Sequence, residues 1–510
     1  MHYLDLLVIG FYLTGVVYIG SRFSRNQTGI HDYFLTGQRV PWWALLGSIV
    51  ATETSTITLI SIPGYAFGSN LTFLQLALGY IVGRTLVALF LIPLFFRGTL
   101  LTAYQLLTKK FGSVVGRTTA GLFLLTRSVS DGLRLFATGL VLALMLSSMP
   151  EINALPSLFL SGNDNITELL ILSIFLISVA TLSYTLIGGM QAVIWTDVIQ
   201  LMVYLAGAFI AGTVLLGQIP GGWGEIIDRA AASGKLELFD FSLDWSKNYT
   251  FWSSLIGGIF IAASTHGTDQ LFVQRYLCAR SQSDARRALI ASGVIILLQF
   301  GFLLILGIML WVYYTNYEPT FLARLATEGQ IQTDRVFPHF IATHLPIGLR
   351  GLLIAAIVAA GMSTLSSSLN SSAASTVGDF YLPFTNEHRS PQHHLRVSKW
   401  ITVGWALVQF LVALTAIGLS RSVVDEALGI QSLTGGLLLG VFALSSLRTK
   451  VPSRALILGL AVGAATLFFT RILTDISWQW YALIGCLTTS TAALSVTSIL
   501  SAFGSSRRLT

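Results

Sequence analysis

The sequence predicts an all-α polytopic membrane protein with about 13 transmembrane helices. Its 510 residues are 54% hydrophobic and only 10% charged, against roughly 25% charged in soluble domains. Mean hydropathy is +0.73. Apolar stretches of bilayer length recur from end to end, and none shows the short polar–apolar alternation of a membrane barrel.

Thirteen candidate spans lie near 3–21, 41–67, 71–96, 115–148, 166–187, 191–216, 249–270, 286–315, 350–381, 396–419, 428–447, 453–472 and 477–503. The first lacks a basic flank and a small-residue cleavage site, so it is read as a retained helix. Spans 115–148 and 350–381 exceed bilayer thickness and are expected to tilt or to extend beyond it. Nineteen lysines and arginines fall in one set of loops and eight in the other. By the positive-inside rule this puts the N-terminus outside and the C-terminus in the cytoplasm, in a cell (inner) membrane. The formal charge of +7 is thus assigned to loops rather than to nucleic-acid binding. Two cysteines and eight histidines make no disulfide framework and no metal-ligand spacing.

The second span, Pro41 to Gly64, is the chemical centre of the chain. Its middle reads Thr52-Glu53-Thr54-Ser55-Thr56, and an acid at membrane depth costs roughly 2.5–3.5 kcal/mol. Such a run suits a helix that unwinds where its backbone lines an enclosed cavity. Crowded β-branched threonines weaken the helix further. Far downstream, Ser363, Ser366, Ser367, Asn370 and Ser371 recur at i, i+3, i+4, i+7 and i+8, one oxygen-bearing stripe of a helix. An oxygen-rich break facing an oxygen-rich stripe fits a hard cation.

Four further motifs appear in order. These are Phe34-Leu35-Thr36-Gly37 with Pro41-Trp42-Trp43; Gly188-Gly189-Met190-Gln191-Ala192 running to Asp197 and Gln200; Gly267-Thr268-Asp269-Gln270 with Gln274-Arg275-Tyr276-Leu277; and Ala359-Ala360-Gly361-Met362-Ser363-Thr364. With them the chain resembles the sodium:solute symporter family, whose members include sodium-coupled sugar, proline, sialic acid and vitamin transporters. The resemblance implies a LeuT-type core of two inverted five-helix halves, 41–216 and 249–447. Around it would lie an extra N-terminal helix and loop (1–40), an outer loop (217–248) and two extra C-terminal helices with a short tail (448–510). The second-half counterpart of the broken helix, 249–270, carries Gly257-Gly258 and the polar run Ser264–Asp269. Paired interrupted helices mark a transporter's binding site.

The same resemblance implies a first sodium site of the Ala51, Thr54 and Ala360 carbonyls with the Ser363 and Thr364 hydroxyls. A second would use Asp197 with Ser366 and Ser367, although an acid favoured at a helix N-terminus is an equal reading of Asp197. Glu53 could touch the solute, bind a cation or proton, or neutralise a buried arginine. Arg127, Asp131 and Arg134 share one helix and leave a spare positive charge unless they close a network with Glu53. Thr58, Gln75, Arg134, Thr265 and His266 join Glu53 as the candidate solute shell, and Asp269 is expected in a structural ion pair beside Gln270, Gln274 and Arg275. His266 and Thr265 depart from the aromatic residues of the sugar transporters, which argues against a sugar.

The expected function is sodium-coupled symport of a small polar organic solute (sugar, amino acid or organic acid) by alternating access. A proton-coupled carrier and a solute sensor on the same fold are the alternatives. No enzyme chemistry is implied, and no nucleotide-binding loop is present. No cofactor is expected beyond the coupling sodium ion. The expected partners are sodium, the solute and the bilayer, with no nucleic acid and no obligate protein partner.

Overall fold

The computed structural model describes residues 2–23, 27–147, 165–327, 330–385, 389–417, 423–447 and 449–506. Helix coincides with every predicted span, and a two-residue antiparallel pair, Ala326–Thr327 with Gln330–Ile331, is the lone sheet among the described residues. Fourteen helices organise the site: α1 (Tyr3–Arg22), α2 (Trp42–Glu53), α3 (Thr56–Gly68), α4 (Gln75–Phe90), α5 (Ser113–Leu146), α6 (Asn165–Gly217), α7 (Gly258–Thr268), α8 (Gln270–Leu277), α9 (Gln282–Tyr317), α10 (Leu349–Ser375), α11 (Pro391–Thr415), α12 (Val423–Ser446), α13 (Ser453–Leu473) and α14 (Tyr481–Ser506). Among the described residues, nine helices are long and apolar enough to cross a membrane, or ten with α2 and α3 counted as one bent span.

The bend between α2 and α3 is 64°. It falls where the threonine run predicts it. Thr54 leaves helical geometry at φ −86°, ψ 87°, and Ser55 is extended and caps α3 by accepting from the Thr58 N–H. Two predicted spans, 166–187 and 191–216, run on as α6 across one kink at Gly189, whose φ of 57° and ψ of −152° only glycine adopts easily. A Cβ there would lie 2.5 Å from the Tyr33 carbonyl oxygen.

The second-half break sits further along than the paired glycines suggest. Gly257 belongs to a π-helical turn, Ser253–Gly257, that runs straight into α7. The helix opens instead at Asp269, which is extended and accepts from the Leu271 N–H to start α8. A π-turn keeps the chain helical by widening one turn, so two glycines alone did not interrupt it.

α10 is the inner axis. It packs chiefly against α6 and also against α1, α5, α8, α2 and α11, and its stripe from Ser363 to Ser375 is wholly buried. One face of the bundle carries a cap, residues 218–250, with a short helix Gly222–Ala232. Lys235 Nζ donates to the Phe67 carbonyl at 2.6 Å, at the end of α3, and Glu237 holds Asn70 and the Leu71 N–H.

Candidate functional site

The break exposes backbone oxygen to α10. The Ser55 N–H, which would close the ladder onto Ala51, turns to the Glu53 carbonyl at 3.2 Å. This leaves the end of α2 with carbonyls off the helical ladder. Thr364 Oγ1 donates to the Thr52 carbonyl at 3.2 Å, and Thr56 Oγ1 donates to Ile357 O at 2.8 Å. Each hydroxyl of the run is used: Thr54 Oγ1 accepts from Gln299 Nε2 at 2.8 Å, and Thr56 Oγ1 accepts from Thr138 at 3.0 Å. Ala51, Thr54, Ala360, Ser363 and Thr364 are all buried on the elements that meet here. The set is neutral and made of oxygen.

Asp197 lies beside it, fully buried on α6. Its Oδ1 accepts from Ser363 Oγ at 2.6 Å and its Oδ2 from Ser48 Oγ at 2.5 Å. Ser363 therefore touches both predicted sets. The main partner of Asp197 is Arg275, whose Nη2 stands 3.0 Å from Oδ2. The same guanidinium donates to Thr52 and Ser367, and its Nε donates to Ser48 at 2.9 Å. Ser366 and Ser367 both turn back to the Ser363 carbonyl, at 3.1 and 2.7 Å. Arginine thus occupies two of the three residues predicted for a second cation, Asp197 and Ser367, and not Ser366.

Glu53 ends α2 and pairs through both oxygens with Arg84 of α4. Arg84 is fully buried and also donates to Ser292 at 2.8 Å. His266 stands next to the pair, its Nε2 3.7 Å from Glu53, and its Nδ1 hydrogen-bonds Tyr276 at 2.9 Å. Of the readings open for Glu53, neutralising a buried arginine is the one with a visible partner, and that partner is on α4 rather than α5.

The α5 group closes differently from expectation. Asp131 is shared by Arg127 (3.3 Å) and Arg134 (3.1 Å). The charge left over is taken by Asp269, which pairs with Arg127 and not with its neighbour Arg275. Asp269 marks the α7–α8 break and faces α5, while Arg275, two helical turns on, points to α6 and α10. Two arginines meet two carboxylates, so no spare charge remains in this group.

The predicted solute shell is only partly gathered. Glu53 and His266 adjoin. Thr265 lines a small cavity between α5, α7 and α12 with Arg127, Ser130, Ser264, Thr268 and Thr434, and Arg134 lies one turn further along α5. Thr58 sits on the first turn of α3, against Ser55. Gln75 lies apart, with its amide donating to Thr72 O and Tyr249 O under an aromatic group of Tyr65, Phe73, Tyr249 and Phe300. Nine residues of helix put it about 13 Å from Arg84 toward the cap. Sequence reasoning did not assign a role to Arg84, Ser48, Gln299 or Ser130. Arg84 carried a usable signal, since an arginine in the middle of an apolar span, between Ile81-Val82-Gly83 and Leu86-Val87, needs a buried acid and Glu53 was an acid still to be matched.

Residues 33–463 match the sodium:solute symporter family across most of the chain. The chain belongs to that family. The sodium/sialic acid symporters of Aliivibrio fischeri and Proteus mirabilis are each 29% identical to it, over 95% of the chain and 91% and 93% of their own lengths. The human sodium/iodide cotransporter is 28% identical over 86% of the chain and 64% of its own length. Among solved structures, a sodium-coupled sialic acid symporter in a substrate-bound outward-open state, described as having a novel sodium site, superposes with a TM-score of 0.85. It is 28% identical, with 98% of both chains covered. A nucleobase-cation-symport-1 family transporter, 13% identical with a TM-score of 0.55, shares the fold alone. The LeuT-type helical architecture and the multi-pass membrane nature of this family member follow.

Proposed function

We propose that this symporter family member accumulates a small polar organic solute by coupling its entry to inward sodium movement through alternating access. The carrying observation is the juncture at Thr52–Thr56, where the helix breaks and the Thr52 carbonyl meets the Thr364 hydroxyl of α10. Five oxygens there, from Ala51, Thr54, Ala360, Ser363 and Thr364, form the proposed first sodium site. A hard cation needs oxygen donors and no deprotonation, and this set offers that at any physiological pH. A second sodium at Asp197, Ser366 and Ser367 would share Asp197 and Ser367 with Arg275.

The inverted halves 41–216 and 249–447 supply the two interrupted elements, and the proposed solute position lies between them. Glu53, His266 and Thr265 flank it, with Arg134 and Thr58 one turn away and Gln75 toward the cap. We place the cap outside and the C-terminus in the cytoplasm, following the loop charges. Relatives named for sialic acid, iodide and monocarboxylates favour an anionic solute, and the glucose cotransporter of Vibrio parahaemolyticus, 26% identical, is the counterexample. Uptake of a labelled solute panel into proteoliposomes tests the reading. At least one polar solute is expected to accumulate with an inward sodium gradient and not with choline or potassium. Uptake indifferent to the cation, or driven by a proton gradient alone, would overturn it.

A further inference from the structure

The cap ends in a run of strict alternation. From Phe239 to Ser246 it reads Phe-Asp-Phe-Ser-Leu-Asp-Trp-Ser, apolar at every odd number and polar at every even one. Period two sorts the two kinds onto opposite sides of a strand-like segment, and this one pairs with no strand among the described residues. The apolar side is not turned inward. Phe241, Leu243 and Trp245 are 61%, 78% and 61% exposed. Phe239 stacks on Phe241 with ring centres 5.8 Å apart, and Phe251 and Trp252 extend the aromatic row. The polar side is satisfied locally. Asp240 accepts from the Ser242 N–H at 2.9 Å and pairs with Lys247, and Asp244 accepts from the Ser246 N–H at 2.9 Å.

Three contacts fix the height of this segment. The Phe251 N–H donates to the Asp240 carbonyl at 2.6 Å, and the Ser477 N–H donates to the Trp245 carbonyl at 2.9 Å. Trp245 also packs on Trp480, with ring centres 4.6 Å apart. Phe251 lies just ahead of the turn that runs into α7, and Ser477 caps the turn that starts α14. Both ends of the segment are thus tied to points where the chain enters the bilayer. Leu243 and Trp245 border the α13–α14 turn at Asp475 and Ile476, and the neighbouring end of α13 exposes Phe468, Phe469, Ile472 and Leu473. Those four belong to a membrane span and face lipid. The exposed row continues this lipid-facing wall at the depth where tryptophan concentrates.

We propose that residues 239–245 anchor the cap in the membrane. Phe239, Phe241, Leu243 and Trp245 insert into the interfacial zone of the leaflet on the cap side, with the Asp240 and Asp244 carboxylates toward water. A second copy of the chain fits this row poorly. Four side chains of about 150–250 Å² each, about six-tenths exposed on average, offer roughly 500 Å², and a stable dimer takes about 800 Å² from each partner. The consequence is mechanical. The other part of the cap holds the end of α3 through Lys235 and the loop after it through Glu237. The anchor therefore ties to the bilayer the piece that covers the broken span.

The test places a nitroxide on the full chain in lipid nanodiscs, through Leu243→Cys on the apolar side or Ser242→Cys on the polar side. Both native cysteines, Cys278 and Cys486, are buried. Collision with oxygen, which concentrates in lipid, is compared with collision with a water-soluble nickel chelate. The oxygen-to-nickel ratio is expected to be several-fold higher at 243 than at 242. Adding Phe239→Ser, Phe241→Ser and Trp245→Ser is expected to bring the ratio at 243 down to that at 242. Phe241→Cys, a second reporter should Leu243→Cys fold poorly, is expected to show the same preference for oxygen. Equal ratios on the two sides, or a label at 243 that meets the nickel chelate more than oxygen, overturn the proposal. A label at 243 sheltered from both reagents and broadened by a second spin gives this face to another copy of the chain, and overturns it as well.

Discussion

Neutralising Glu53 separates a structural acid from a solute ligand. Arg84 is fully buried and donates to both Glu53 oxygens, and its other named partner is the neutral Ser292 hydroxyl. Glu53→Gln therefore leaves a guanidinium in the core with no other carboxylate paired to it among the described residues. Removing one member of a buried pair costs about 3–5 kcal/mol, two to four decades in the folded population at 1.4 kcal/mol each. Arg84→Met alone should cost a similar amount by stranding the carboxylate. Replacing both at once removes both charges, and apolar replacements of buried pairs are often near neutral. The double variant Glu53→Gln with Arg84→Met should thus recover most of the loss, a coupling of about 5–9 kcal/mol if the double variant costs about 1 kcal/mol. Equilibrium unfolding of the purified protein in mixed micelles measures the four corners of this cycle. Single variants each costing under about 1 kcal/mol and adding without coupling would refute the reasoning.

Four other variants follow from the geometry. Thr364→Ala removes a proposed sodium ligand that also bonds the Thr52 carbonyl; about 1–1.5 kcal/mol should raise the half-saturating sodium concentration roughly tenfold, read from sodium-titrated uptake. Ser363→Ala added to it should abolish sodium dependence with folded protein still in the membrane. Gly189→Ala puts a Cβ against the Tyr33 carbonyl in backbone geometry reserved for glycine, costing at least about 1–3 kcal/mol, and should lower the yield of folded protein on gel filtration. Burial pushes the Lys235 ammonium in the cap down to about 8 from 10.5. Between those pH values the unfolded chain holds a proton that the folded one has lost, so stability should rise with pH there. Lys235→Met should flatten that rise in a thermal-melting series.

The break at Thr54–Ser55 was legible because its causes are local: β-branched crowding, hydroxyls that cap, and an acid too costly for a lipid-facing helix. The α10 stripe was legible for the same reason, since its period alone puts five oxygens on one face. What escaped the sequence was partner choice between distant helices. Asp269 and Arg275 are near neighbours in the chain, yet an extended residue at the α7–α8 break sends one to Arg127 and the other to Asp197. Charge counting on α5 alone gave a spare cation because the compensating acid lies on another helix. Gly257-Gly258 misled in the opposite direction, because a π-turn absorbs the two glycines without opening the helix. Local chemistry reads from sequence, and ion-pair connectivity needs the packing.

Coupling itself is tested most directly by running the cycle from the solute side. Proteoliposomes holding the wild-type protein, with equal sodium on both faces and no membrane potential, receive an inward gradient of whichever labelled solute is transported. Symport through the Thr52–Thr56 juncture predicts that sodium-22 enters uphill while the solute gradient lasts, and that Ser363→Ala with Thr364→Ala eliminates this entry. Solute that enters without moving sodium would contradict the account.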